Sequence, residues 1–387
     1  MTPPIPDRPD VRPVRLAVDA TSLLDPLTGV GVFTRETLSA MVAREDVDLA
    51  AFAISVRGRH RLDQVVPPGV PVSSHPVSAR GARHAWLHSD RPTARGIVGR
   101  PIDVVHGPNF VVPPGGRGVG EVVTIHDLTA VHFPEMCTPA VLQWPALLDR
   151  AIRRGAWVHA VSEFVGAEVR DRFPAVADRV VAIPNGISPP PPVTPMTDAA
   201  VGHRLAGTPR YILALGTVEP RKDLPLLVEA FDALAARDND LRLVIAGPDG
   251  WGAADLTQAR GKARHSRRII RLGWVSDEQR LGLLRGAAVV AYPSRYEGFG
   301  LVPLEALAVG TPVVATAVGA LPEVLADAAP LVPSGDAGAL IGALDHVLTD
   351  DAWRATLLAR GAERVAHYRW PDTMAALADL YQRARRS

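Results

Sequence analysis

The chain has 387 residues, 47% of them hydrophobic, with 42 basic side chains against 41 acidic ones and a formal net charge of +1. That length exceeds the comfortable size of one core and predicts two domains. The near-neutral balance gives no basic excess of the kind a free nucleic-acid binder carries, so no nucleic-acid partner is expected.

In chain order, Val14 to Ala20 reads as a first strand. A loop with Gly29, Val30 and Gly31 then leads into an apolar-periodic helix from about Val32 to Val42. Two glycines between a strand and a helix predict close approach to a phosphate, although the full dinucleotide fingerprint and its acidic residue are not met. Leu49 to Ile54 is a second strand. From Arg57 to Arg100 the pattern weakens: eight arginines (57, 59, 61, 80, 83, 91, 95 and 100) stand against Asp63 and Asp90, a local net of +6, with four histidines scattered among them. This reads as a solvated, partly mobile surface. The alternative is a docking surface for an anionic acceptor or an acidic membrane face, with Trp86 and Leu87 set among the charges.

Asp103 to His106 and Glu121 to His126 predict successive core strands, each ending in a histidine. Ligands of open α/β sheets lie at the carboxyl ends of strands, which points Asn109, His126 and Asp127 at a cleft, with His106 the weaker candidate. A helix from about Thr138 to Arg154, a strand from Trp157 to Val161, a helix capped by Ser162 and a strand near Val180 to Ile183 follow. PNGISPPPPVTPMTD, residues 184–198, is too rich in proline for sheet or helix and reads as a stiff linker. The predicted domains are therefore 1–188 and 199–370.

Beyond the linker, Tyr211 to Leu215 opens a second sheet, and Gly216 to Lys222 forms a strand-to-helix loop with Asp223 capping the helix to about Ala236. Strands at Leu241 to Ala246 and Ile269 to Leu272 come next. Gly273, Trp274 and Val275 then lead into a helix opened by a capping box, Ser276 with Gln279. Val289 to Tyr292 suits a central parallel strand. The loop after it carries Glu297, Gly298, Phe299 and Gly300, whose glycines let the backbone approach a ligand with its N–H groups exposed. Pro303 fits the first helical position and Gly310 a left-handed C-terminal one. A helix starting beside such a loop leaves free N–H groups and a positive dipole end at the lip of the sheet, where a phosphate or diphosphate binds. Glu297 and Glu305 flank that point and can accept hydrogen bonds from sugar or ribose hydroxyls.

Only two of the basic residues are lysines, Lys222 and Lys262. A lysine retained beside Arg221 in a strand-end loop points to a task for a compact ammonium that guanidinium fills badly. Cations disfavour a helix N-terminus, so an anion should offset them, and phosphate contact is the expected role.

These pieces resemble retaining glycosyltransferases of family 4, which have the GT-B fold: α/β, with two doubly wound Rossmann-like domains facing each other across a cleft. The matching stretches are TGVGVFTRETL, TIHDL, AVSEF, IPNGI, GTVEPRKDLPLLVEAF, the Gly273 loop, and YEGFGLVPLEALAVGTPVVAT with LPEV after it. They cover most of the chain and look most like mannosyltransferases of bacterial surface polysaccharides. The resemblance implies that Arg221 and Lys222 hold the donor diphosphate and Glu305 the ribose. Glu297 with the backbone of Gly298, Phe299, Gly300 and Leu301 would hold the donor sugar and phosphate. Gly29 and Gly31 would border the diphosphate from the first domain, His126 would lie near the transferred sugar, and Gly273 to Val275 would edge the base. The last helix, within 371–387, would return to the first domain.

The implied activity is metal-independent, retaining hexosyl transfer from a nucleotide sugar, GDP-mannose favoured, to a hydroxyl of a glycan, lipid-linked or small-molecule acceptor. Departure of a diphosphate makes charge stabilisation the main need, which Arg221, Lys222 and the helix tip can meet. Two Asp-x-Asp pairs, Asp46 with Asp48 and Asp238 with Asp240, sit between a helix and a strand and read as turn chemistry, so no metal and no cofactor beyond the nucleotide-sugar co-substrate is expected. Two other classes fit parts of the pattern: a non-hydrolysing nucleotide-sugar epimerase, and a non-catalytic nucleotide-sugar-binding protein. The single cysteine, Cys137, the absence of an apolar run of about 20 residues and the opening MTPPIPDRPD predict a cytoplasmic protein without a secretion signal, working free or at the inner face of the membrane.

Overall fold

A computed structural model describes residues 12–385 except Pro26, Ser74 and the side chain of Arg59. The expectation about a secretion signal falls outside these residues. Seven parallel strands form the first sheet: β1 (Val14–Asp19), β2 (Val47–Phe52), β3 (Val72–Ser73), β4 (Val104–Gly107), β5 (Gly120–Ile125), β6 (Trp157–Ala160) and β7 (Val180–Ala182), in the order β3-β2-β1-β4-β5-β6-β7. Six more form the second: β8 (Tyr211–Leu215), β9 (Arg242–Ala246), β10 (Ile269–Gly273), β11 (Val289–Tyr292), β12 (Val313–Thr316) and β13 (Leu331–Val332), in the order β10-β9-β8-β11-β12-β13. Both are doubly wound Rossmann-like sheets.

The strands are continuously apolar because helices cover both faces. In β8, Tyr211, Leu213 and Leu215 enter one core while Ile212 and Ala214 enter the other. Strand order reverses between β1 and β4 in the first sheet and between β8 and β11 in the second. At such a point neighbouring loops run to opposite sides and open a crevice beyond the strand ends. The second crevice is therefore edged by the loop after β8, with Arg221 and Lys222, and the loop after β11, with Glu297.

The helix Trp370–Arg385 leaves the second lobe and packs into the first, where Met374, Leu377 and Tyr381 join a core with Leu16, Val18, Phe33 and Leu38. A buried chain of hydrogen bonds ties it down. The Ile183 carbonyl can only accept, so His159 Nε2 donates to it (2.9 Å) and His159 Nδ1 accepts from Thr124 Oγ1 (3.0 Å). Thr124 in turn accepts from His106 Nε2 (2.7 Å), whose Nδ1 accepts from Tyr381 Oη (2.8 Å). Burial pushes both histidines down, His159 to about 4, so the neutral tautomers this direction requires are the stable ones.

Several expectations are corrected. His106 does not end its strand facing a cleft; it lies fully buried inside β4 and serves this core chain. The Arg57 to Arg100 stretch is ordered by two capped helices, Ala79–Trp86 behind Ser78 and Ala94–Val98 behind Thr93. Trp86 is 1% exposed, with its indole N–H on the Pro92 carbonyl at 2.9 Å, so it offers nothing to a membrane. Arg57, Arg61, Arg80, Arg91 and Arg95 remain exposed. The first helix begins at Gly29, so Gly29 and Gly31 are helical rather than in a loop. The predicted Thr138 to Arg154 helix begins only at Trp144, where Pro145 can occupy the first turn.

Candidate active site

Glu297 is the centre of the second-lobe crevice. Its Oε1 receives Arg221 Nη1 at 2.7 Å, Lys222 Nζ at 3.3 Å and Ser294 Oγ at 2.9 Å. Burial alone would raise this carboxyl, but Arg221 and Lys222 overrule it and hold it at about 2. Lys222 also donates to Tyr292 Oη (2.7 Å) and lies 4.4 Å from the centre of that ring. Burial pushes the Lys222 ammonium down while Glu297 holds it up. Burial likewise opposes charge on Arg221, yet Glu297, Glu219 and Asp127 raise its pKa overall. Arg221 Nε donates to Glu219 Oε2 (2.8 Å), and Nη1 also reaches the Tyr296 carbonyl at 3.4 Å. Of the five guanidinium N–H groups, the two on Nη2 have no acceptor among the described residues. The cations are thus locked in place by carboxylates, with donors left over for a ligand.

The helix Leu301–Ala308 starts beside this cluster. Gly300, at φ +109°, turns the chain into it, and no side chain caps it. Among the described residues, no backbone carbonyl takes the N–H groups of Leu301 and Val302. The helix begins two residues before Pro303, which therefore occupies the third helical position, not the first; Gly310 does adopt the left-handed conformation, at φ +82°. Asp223 precedes its helix but does not cap it with its side chain, which instead accepts from Arg295 Nε at 2.8 Å.

The first lobe closes over this point. A Cβ on Gly298 would sit 1.7 Å from the His126 carbonyl oxygen, so only glycine allows that approach. Gly29 faces Leu301, 3.1 Å from where its Cβ would stand, whereas Gly31 is packed within its own lobe against Leu27 and the Ser22 carbonyl, away from the second lobe. His126 donates from Nε2 to the Pro108 carbonyl at 2.8 Å, and burial pushes its pKa down, so Nδ1 is an unprotonated acceptor. Asp127 accepts from the Thr129 N–H at 2.9 Å. Asn109 is half-buried beyond β4.

Other expected residues are more separate. Phe299 is buried with its ring edge-on to Tyr368 (5.5 Å), so only its backbone can serve a ligand. Glu305 forms an ion pair with Arg280, and burial nevertheless raises its pKa. Gly273, at φ +69°, ends β10, and Val275 lies in the loop after it, where Trp274 is 68% exposed. The two Asp-x-Asp pairs are engaged elsewhere, Asp46 with Arg44, Asp48 with Arg100 and Asp238 with Arg210. They lie toward the opposite strand ends, because Asp46 and Asp240 precede β2 and β9.

Sequence reading missed Tyr292, Ser294, Arg280 and Tyr296, which look locally like strand, turn and helix residues. It also missed Asp19, buried at the carboxyl end of β1. Burial pushes its carboxyl up to about 6 although the Thr21 hydroxyl and N–H both donate to it. Its place near the carboxyl end of the first predicted strand was the available signal.

Comparison with known proteins agrees with this architecture. Residues 197–364 match the family described as glycosyl transferases group 1, and residues 27–189 match Glycosyltransferase Family 4. The O-antigen chain mannosyltransferase B of Escherichia coli is 30% identical over 376 residues, covering 92% of this chain and 96% of its own. The phosphatidyl-myo-inositol mannosyltransferase of Mycobacterium leprae is 35% identical over 220 residues, 55% of this chain and 56% of its own. The crystal structure of WaaG, a glycosyltransferase involved in lipopolysaccharide biosynthesis, superposes with a TM-score of 0.72 at 18% identity, covering 95% of this chain and 98% of that one. The shared fold is GT-B.

Proposed function

This chain belongs to the group 1 and family 4 glycosyltransferases, and we propose that it moves a hexose, mannose first, from a nucleoside-diphosphate sugar to an acceptor hydroxyl with retention at the anomeric carbon. The observation that carries the reading is the convergence of Arg221, Lys222 and Ser294 on one buried carboxylate beside an uncapped helix start. In the reaction the bond from the anomeric carbon to phosphate breaks and its electron pair passes to the departing diphosphate. The acceptor oxygen attacks from the same face, and its proton passes to the phosphate oxygen just uncovered. Arg221 Nη2, Lys222 and the N–H groups of Leu301 and Val302 stabilise the developing charge from fixed positions. Glu297 holds those cations and offers Oε2 to a sugar hydroxyl. His126, neutral, offers Nδ1 to another. Glu305, oriented by Arg280, accepts from the ribose.

With these donors in place the step needs no metal. Mannose is favoured because both relatives above carry the word mannosyltransferase in their names. A glycan, lipid-linked or small-molecule acceptor would enter from the first lobe, near Asn109, Asp127 and Asp19. No helix among the described residues is long and apolar enough to cross a membrane. Contact with an acidic membrane face would rest on the exposed arginines of the Arg57 to Arg100 region alone.

The test is release of free nucleoside diphosphate from GDP-mannose, UDP-glucose and other donors, with mannosides and inositol phosphates as acceptors, with and without a chelator. GDP release dependent on acceptor and resistant to chelator is expected. Conversion of the sugar without release would replace the reading by epimerisation, and binding without either would make the protein a carrier. Activity restored only by a divalent ion would remove the metal-free mechanism.

A further inference from the structure

The loop carrying Glu297 belongs to the second lobe, yet both neighbours of Glu297 are fastened to the first. Tyr296 is 5% exposed and packs within the first lobe's hydrophobic core. Its ring lies 5.5 Å from Phe133, 5.9 Å from His132 and 6.0 Å from Phe164. Its hydroxyl accepts from the Leu128 N–H at 3.0 Å and donates to Glu168 Oε2 at 2.5 Å, while Glu168 Oε1 meets His132 Nε2 at 2.9 Å. On the other side of Glu297, the Gly298 carbonyl accepts from Ser162 Oγ at 2.8 Å. Glu297 itself points back to Arg221 and Lys222 of its own lobe. Successive residues are thus held alternately by one lobe and the other.

We propose that Tyr296 is an interlobe positioning residue, seated in the first lobe through Leu128 and Glu168, which couples closure of the cleft to placement of the Glu297 carboxylate. The donor pocket is then complete only in the closed molecule. Part of the ligand's affinity is spent on closure whenever the closed form is not already populated, because apparent affinity scales with the competent fraction. The proposal rests on the donor-site reading of Glu297.

Tyr296→Phe keeps the ring but leaves the buried Leu128 N–H without an acceptor and Glu168 Oε2 without its donor, Oε1 keeping His132. An unpartnered buried group of this kind shifts an equilibrium by about 5- to 150-fold. The experiment measures the radius of gyration of the whole chain by small-angle scattering, free and with saturating GDP or UDP, together with nucleotide affinity by calorimetry. Glu168→Ala is run in parallel, since the Glu168 side chain is 18% exposed and its loss leaves the ring packing intact. For either variant the expected result is a larger free radius, recovery of the wild-type radius with nucleotide, and apparent affinity reduced at least about fivefold. Wild-type radius and affinity in folded variants would overturn the proposal. So would weakened affinity at an unchanged radius, which would make the effect local. The scattering arm needs no sugar donor: failure of every donor to be turned over would sink the transferase reading without touching it. An unchanged donor kcat/KM in both variants would sink the latch and leave the transferase standing.

Discussion

Replacing Lys222 by alanine tests the charge-stabilising centre most directly. The ammonium is bonded to Tyr292 Oη at 2.7 Å and Glu297 Oε1 at 3.3 Å, with its side chain 12% exposed. Its removal leaves Glu297 paired with Arg221 at 2.7 Å and Ser294 at 2.9 Å, so no buried carboxylate is abandoned and the fold should hold. On the proposed reading, what is lost is a cation at the departing diphosphate. A hydrogen bond to a charged group contributes about 1.5–3 kcal/mol, or about 10- to 150-fold in kcat/KM for the donor. Lys222→Arg should not rescue it, because a planar guanidinium does not fit the compact site above the Tyr292 ring. The assay is initial-rate nucleoside diphosphate release across a donor titration, with thermal melting as the fold control. A folded Lys222→Ala protein within threefold of the wild-type kcat/KM would refute the assignment of this cluster to phosphate.

Other perturbations follow from the same geometry. Burial raises Glu305 and Arg280 counters it, so Arg280→Ala should raise it further and move the acid limb of donor binding to higher pH; titration calorimetry across the acid limb reads this, and an unmoved profile would dismiss Arg280 as the orienting partner. Asp103 is held at about 2, chiefly by its hydrogen bond from Arg15, below the usual 3.8. Its folded value is depressed, so the stability it adds, about 2 kcal/mol, is present above pH 3.8 and disappears as pH falls toward 2. Asp103→Asn should flatten that part of the stability profile in denaturant titrations, and parallel curves would argue against it. Thr124→Val interrupts the chain from Tyr381 to Ile183 and should cost about 1–3 kcal/mol, seen by denaturation, with faster hydrogen exchange in Trp370–Arg385; unchanged exchange would show that the helix is held by apolar packing alone.

The legible parts of the site had local signatures. The strand Val289–Tyr292, the paired glycines and the following helix form one short stretch whose backbone demands are written in its residue types. Lys222 stood out because the chain otherwise uses arginine. Partners distant in sequence were not legible. Arg280 lies 25 residues before Glu305, and Tyr296 meets Leu128 and Glu168 across separations of 168 and 128 residues. Trp86 was misleading for a related reason: Arg80 and His84 are exposed on its helix while the indole turns inward, and charge density along the chain does not separate faces. His106 showed the same limit in a strand, where one position decides between a core and a cleft.

The sequence by itself determined the alternation of strand and helix, the two doubly wound sheets and the loops from which chemistry would come. Steric preferences and hydrophobic periods act over a few residues and are written locally. Only the tertiary structure decided that Arg221, Lys222 and Ser294 share one oxygen of Glu297, that Glu305 answers to Arg280, and that a tyrosine of one lobe completes the core of the other. Those pairings depend on which strands become neighbours at a reversal of sheet order and on how two lobes close, and neither is encoded in any short window of the chain.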